Sequence, residues 1–175
     1  TSATDYLAYG SLIQWGRKTD GHELITYTNA TTATAVNGTT STNSDAPADA
    51  LFIVEPNSPY DWRTSQDGTL WATEASPNNP CPVGFRVPTL TEQDTLATAA
   101  SITDSASAAS STLKFTVPGG RNFNAGSLFN VGSFGYYWIS SVSGTDARYL
   151  SFHSTAASTG YINRAYGFTV RCLKD

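Results

Sequence analysis

The chain signals a helix start at one place, and that limits what it can become. In Pro88-Thr89-Leu90-Thr91-Glu92 a threonine stands three residues ahead of a glutamate, with proline just before it. In this arrangement cap hydroxyl and carboxylate each accept a hydrogen bond from the other residue's backbone N–H. Leu90, Gln93, Leu96, Ala97 and Ala100 follow at helical spacing. Elsewhere the apolar residues come in short runs cut off by turn residues: Leu7 to Trp15 ahead of Gly16-Arg17-Lys18-Thr19-Asp20-Gly21, Leu24 to Thr28, and Leu51 to Val54 ahead of Glu55-Pro56-Asn57-Ser58-Pro59. The expected fold is α+β, with many short strands, long loops and one helix.

Two stretches read as loops. Residues 29–49 are Thr, Ala, Asn, Ser and Gly with almost no large apolar residue, and Ser101 to Ser111 is Ser/Ala-rich. After Leu113 the pattern becomes β-like, with strands expected at Tyr136 to Ile139, Ala147 to Ser154 and Tyr166 to Leu173. Period-two alternation puts Leu150 and Phe152 on a core face and Tyr149, Ser151 and His153 on the other.

At 175 residues the chain suits a single domain spanning 1–175, and 39% apolar with 12% aromatic residues is enough for a packed core. Only 14% of residues are charged, against about 25% in ordinary soluble domains, so the surface is neutral-polar. The net charge of -4 gathers into no basic stripe, which excludes nucleic-acid binding by phosphate neutralisation. No apolar run is long enough for a membrane span, and the polar N-terminus is no signal peptide. A start at Thr1 without Met reads as the C-terminal fragment of a longer protein. Cys81 and Cys172 permit one intramolecular bridge; two buried free thiols in a reducing cytoplasm are the alternative. Scarce Lys and Glu beside abundant Thr and Ser favour an extracellular, cell-surface or virion-borne protein.

A search for chemistry finds little. His22-Glu23 lacks the second histidine of a zinc helix and reads as a turn at a strand start. Gly119-Gly120-Arg121 lacks the Lys and Ser/Thr of a phosphate loop, and Ser140-Ser141 sits in no nucleophile elbow. Asp61, Asp67 and Glu74 read as solvated charges. Asp104 and Asp146 are candidate calcium donors without a calcium-loop motif. No catalytic residue, metal site or cofactor is therefore expected. Trp15, Trp62, Trp71 and Trp138 read as core or loop anchors, and Arg121 and Arg164 as loop anchors through carboxylates or backbone carbonyls.

Longer motifs carry a resemblance. Asn79-Pro80-Cys81-Pro82-Val83-Gly84-Phe85-Arg86-Val87-Pro88-Thr89 with Glu92, then Gly135-Tyr136-Tyr137-Trp138, Ser140-Ser141, and Arg164-Ala165-Tyr166-Gly167-Phe168-Thr169-Val170-Arg171-Cys172 resemble the Fibrobacter succinogenes major paralogous domain. Gln14 to Glu23 is similar to the N-terminal portion of such proteins. That family is similar to formylglycine-generating-enzyme-like domains, so the resemblance implies a C-type-lectin-like fold with short twisted antiparallel strands. The oxidase activity is not carried over, because Cys81 and Cys172 look structural. The last forty residues resemble the variable region of proteins diversified by retroelements, found in phage receptor-binding and bacterial surface proteins.

The resemblance implies a non-enzymatic binding domain with a variable display region at 135–175. Its expected ligand-binding residues are Tyr136, Ile139, Asp146, Tyr149, Ser151, His153, Ser158, Tyr161, Asn163 and Tyr166. Tyr supplies rigid amphipathic contact in such surfaces, with Ser and Asn for adaptable hydrogen bonding. The expected partner is a protein or glycan receptor on a target cell, with homo-oligomerisation through a preceding N-terminal part. The alternatives are a structural module of a surface filament and a divergent formylglycine-generating-like enzyme, for which a reactive thiol would speak.

Overall fold

The computed structural model describes residues 2–175. A 3-10 turn at Tyr6–Ala8 precedes β1 (Ile13–Gln14), β2 (Ile25–Tyr27), β3 (Ala33–Ala35), β4 (Thr39–Thr40), β5 (Phe52–Ile53) and β6 (Phe85–Arg86). Two helices follow, α1 (Leu90–Ala99) and α2 (Ser105–Ser110). The chain then forms β7 (Gly120–Arg121), β8 (Leu128–Phe129), β9 (Gly135–Ser143), β10 (Asp146–His153), β11 (Ala156–Asn163), β12 (Gly167–Phe168) and β13 (Leu173–Lys174). The result is a mixed α/β protein of mostly strands. None of the described helices is long and apolar enough to cross a membrane.

The longest strands form an antiparallel meander in the order β11-β10-β9, and a four-stranded sheet runs β1-β12-β7-β8. Thr169 joins the two sheets, because its C=O accepts from Trp138 N–H at 2.8 Å and its N–H donates to Tyr136 C=O at 3.1 Å. Early and late parts of the chain thus share one sheet: Ile13 lies opposite Phe168. Gln14 reinforces the join, its side-chain amide donating to the Ile53 and Ala165 carbonyls at 2.8 Å each.

The core has two parts, and β9 separates them. Trp138 packs with Trp15, Trp62, Trp71, Ile13, Ile53 and Phe168 on one side. Its neighbours Tyr137 and Ile139 pack with Tyr9, Phe115, Val117, Leu150 and Phe152 on the other. All four tryptophans are at most 1% exposed, as core anchors should be. Their indole N–H groups are bonded as well: Trp15 donates to the Ile139 carbonyl, Trp138 to Ile13, Trp62 to Trp15, and Trp71 to Asn78.

The helix start forms as its residues dictate. Thr89 Oγ1 accepts from Glu92 N–H and the Glu92 carboxylate accepts from Thr89 N–H. Arg86 grips that carboxylate with two bonds of 2.7 Å. This charge-assisted pair drives the Glu92 carboxyl down to about 2. A bulge in β9 docks the helix. Ala147 faces Val142 while Tyr149 faces Trp138, so Ile139-Ser140-Ser141 oppose the single residue Arg148. The freed groups turn outward, Ser141 Oγ accepting from Leu90 N–H and Ser140 N–H donating to the Pro88 carbonyl.

Several expectations change. Ser101 to Ser111 contains α2, capped by Asp104, which accepts from Ser107 N–H at 2.7 Å. Asp104 is thus a helix cap. The 29–49 stretch holds β3 and β4, and β11 is a full strand that Ala156 to Asn163 showed no alternation to predict. The single closing strand expected from Tyr166 to Leu173 is two strands in different sheets. His22 lies in the turn before β2 as expected and is fully buried there, whereas Asp61 is 2% exposed instead of solvated. Cys81 and Cys172 form a disulfide, which settles the alternative left open by composition.

Candidate functional site

Antiparallel register decides which residues share a face, because directly opposite residues point the same way. Tyr149 is opposite Gly160 and Trp138, Ser151 opposite Ser158 and Tyr136, and His153 opposite Ala156. Tyr136, Tyr149, Ser151, His153 and Ser158 therefore lie on one face of the meander. Tyr166, just beyond β11, reaches the same face by packing on Phe168 at 5.6 Å between ring centres.

The opposite face holds the others. Asp146 is opposite Asn163, and Arg148 opposite Tyr161 with its guanidinium 5.2 Å from the tyrosine ring centre. Asp146, Tyr161 and Asn163 are therefore separated from the tyrosine face by the thickness of the sheet. Ile139 is a correction: two residues beyond Tyr137 it points to the same side, so it is fully buried in the second core, and its carbonyl accepts from Trp15. It offers no atom to a ligand.

The first face is an almost continuous sheet of rings around buried Phe168. Tyr60 meets Phe123 at 5.3 Å, Phe123 meets Tyr166 at 4.9 Å, and Tyr166 meets Phe129 at 6.0 Å. Phe129 meets Tyr136 at 5.6 Å, Tyr136 stacks on Phe134 at 5.5 Å, and Phe134 meets His153 at 4.7 Å. Tyr149 closes the group against Tyr136 and Phe168. Phe168 is 1% exposed, and the other rings of this face are half-buried.

Phe123, Phe129 and Phe134 were missed by sequence reading, as was Tyr60. The available signal was three phenylalanines in a turn-rich stretch with no strand or helix period to place them in a core. Partial burial pushes the Tyr136, Tyr149 and Tyr166 hydroxyls above the ordinary phenol range, so all three remain neutral donors near pH 7. Asn130 Nδ2 donates to Tyr136 Oη at 2.9 Å and fixes its tip.

Two arginines hold the frame, as their scarcity of charged neighbours suggested. Arg121, 1% exposed, donates to the carbonyls of Gly126, His22 and Asn37. With no carboxylate partner, burial pulls its guanidinium down to about 10. Arg164 donates to the Asp67 and Gly144 carbonyls and faces buried Asp61 at 3.6 Å. Burial dominates both partners, raising the Asp61 carboxyl and lowering the Arg164 guanidinium despite their attraction.

Asp20, His22 and Glu23 bring three donor groups within 4.8 Å of one another. Both His22 nitrogens are already engaged: Nε2 accepts from Gln14 N–H at 3.0 Å and Nδ1 lies 2.6 Å from Asp20. The set is a hydrogen-bonded hinge for the turn before β2. A cleft of about 570 Å³ lies elsewhere, between α1 and the far side of β10 and β11, lined by Asp94, Thr98, Ile102, Leu150 and Thr159. No family model matches the chain, and no curated protein or solved structure proved similar to it.

Proposed function

We propose that this chain is a non-enzymatic ligand- or receptor-binding domain with a C-type-lectin-like fold, and that it recognises its partner through the ring face. One observation carries the reading. Six of the ten expected binding residues gather on a single face, where half-buried rings stand among serine hydroxyls and an imidazole. Rigid aromatic area rimmed by small hydrogen-bonding groups is what a recognition surface needs. The ligand class is a protein or glycan on a cell surface, and the setting is a phage receptor-binding or bacterial surface protein whose 135–175 region is diversified.

The disulfide supports this reading over a formylglycine-generating-like enzyme, since among the described residues no free cysteine remains to act as a nucleophile. It also supports an oxidising, extracellular location. The test is to probe a glycan array and intact bacterial cells with labelled wild-type domain and with Ser151→Arg and His153→Ala. Both positions are peripheral to the core, so folding should survive. Binding by wild type that both variants lose supports the assignment. Binding that both variants retain places recognition elsewhere. Sequencing the gene across one clonal culture tests diversification separately: changes clustered in codons 139–166 are expected, and uniform codons would remove that part.

A further inference from the structure

A small cleft opens beside the turn before β2, apart from the ring face. It measures about 160 Å³, and its walls come from the approach to β1, from the turn after that strand and from the segment that follows β12. Ile13, Pro80 and Val170 make part of it apolar, and Ser11 and Thr19 bring hydroxyls. None of these residues belongs to the ring face. Glu23, also in the wall, is the exceptional group. It is 6% exposed, so its carboxylate has given up nearly all its water. Oε2 accepts from Gly21 N–H at 2.9 Å. Oε1 has no hydrogen-bond partner among the described residues, yet it is not sealed in as Thr169 Oγ1 is, so it faces the cleft.

No cation in the chain answers this carboxylate. Its neighbour at ion-pair distance is His22 Nδ1, at 3.5 Å. Burial keeps that imidazole neutral, and its Nδ1 proton is directed at Asp20. Arg17 stands beyond ion-pair distance and spends its guanidinium on Asp20, Gln14 and the Leu51 carbonyl. A buried carboxylate is costly until a cation and further hydrogen bonds reach it.

We propose that the cleft binds a primary alkylammonium group, its nitrogen on Glu23 Oε1 and its methylenes along Ile13, Pro80 and Val170. An ammonium has a positive charge and N–H donors but no acceptor. Glu23 Oε1 supplies the opposite charge, and the Ser11 and Thr19 hydroxyls, which have no partners of their own among the described residues, supply further acceptors. A calcium ion fits poorly: it takes about six to eight oxygens, and the next carboxylate, Asp20, is held by His22 and Arg17. An anion finds no basic side chain in the walls. The space equals about five water molecules, which suits a nitrogen and four carbons and excludes a sugar ring. A lysine side chain of a partner protein and a free short amine share this chemistry.

The experiment follows backbone amide NMR shifts of the isotope-labelled chain near pH 7. Butylammonium, butanol, Nα-acetyl-lysine methylamide and calcium chloride are titrated separately. Butylammonium should give saturable shifts at Ser11, Gly21, Glu23 and Val170 with a Kd of about 1 mM, a value that five heavy atoms can supply. Butanol, equally long but uncharged, should bind at least about tenfold more weakly. Glu23→Gln keeps an acceptor for Gly21 N–H and should weaken butylammonium by a similar factor. Equal shifts from the lysine derivative assign the site to a partner's lysine, and shifts from butylammonium alone assign it to a free amine; either result supports the proposal. No saturable shift, shifts centred elsewhere, or butanol binding as well as butylammonium overturns it. So does undiminished binding by folded Glu23→Gln, or calcium occupying the cleft where butylammonium does not. Should Glu23→Gln fail to fold, butylammonium against butanol on the wild-type chain decides alone.

Discussion

The ring of Tyr149 lies across Gly160, and its nearest atom stands 3.0 Å from the position a side-chain carbon would take there. Two residues on adjacent strands thereby share one site, and a side chain at position 160 would make the Tyr149 ring give way by a few tenths of an ångström. Tyr149→Ala removes a ring that also packs on Tyr136 and Phe168. It should cost about 2 kcal/mol, below the range for fully buried rings because one side is open. Tyr161→Ala, at a side chain 60% exposed, should cost under about 0.5 kcal/mol. Gly160→Ala should be less costly in the Tyr149→Ala background than alone, since the crowded ring is then gone. Urea melts of the wild type, the three single variants and the double variant check all three statements.

Acid should weaken the protein in two steps. Burial lowers the proton affinity of His22 in the folded state, where Nε2 accepts from Gln14 N–H. The unfolded chain takes up that proton below about pH 6.5 and the folded one resists, so stability is complete above that pH and declines below it. Glu92 has the depressed folded carboxyl, at about 2. Its contribution is present above the unfolded carboxylate range and is lost as pH falls toward 2. Thermal midpoints across pH 3 to 8 should show a decline beginning near pH 6.5, and His22→Gln should abolish that upper step alone. A flat profile from 8 to 5 in the wild type would contradict the assignment.

Arg121→Ala should cost about 3 to 5 kcal/mol, because two buried carbonyls and a half-buried one lose their donor and a cavity opens beside Phe52. Arg121→Lys should recover little of it, since one ammonium cannot reach carbonyls that the guanidinium fork spans. Denaturant midpoints of the two variants, read side by side, give the comparison.

Breaking the Cys81–Cys172 bridge frees a loop of sequence separation 91. In the chain-entropy account the double variant Cys81→Ser with Cys172→Ser should lose roughly 4 to 5 kcal/mol. Arg86 ties the same region through Glu92 and Asp175, so native circular dichroism should survive without denaturant. Reductant should shift the wild-type urea midpoint to that of the double variant and leave the variant unmoved.

Local chemistry was legible, and tertiary chemistry was not. Thr89 and Glu92 announced α1 because a capping box is complete within four residues. Asp104 and Ser107 form the same kind of box for α2, but serine in place of glutamate hid it inside a Ser/Ala run. β11 exists because β10 pairs with it, so its own residues carry no alternation to read. Asp61 resembled any loop carboxylate until Arg164 arrived from far along the chain to share its burial. The ring face was half visible. Tyrosines at 136, 149 and 166 stood in β-like sequence, whereas Phe123, Phe129 and Phe134 came from turns whose geometry assembles them. Ile139 was misread because a place in the display region was taken for exposure, whereas its side chain shares the direction of Tyr137 two residues earlier and enters the second core.

The pairing of β1 with β12 has a consequence in time. Gln14 bonds to the Ala165 carbonyl across a separation of 151 residues, and Trp138 to the Ile13 carbonyl across 125. A ribosome must therefore deliver nearly the whole chain before its first strand finds a partner, and contacts this distant in sequence close slowly. A nascent chain halted at residue 150 holds about six-sevenths of the 175 residues but lacks the edge on which its opening strand folds. It should remain as open to protease as the unfolded protein.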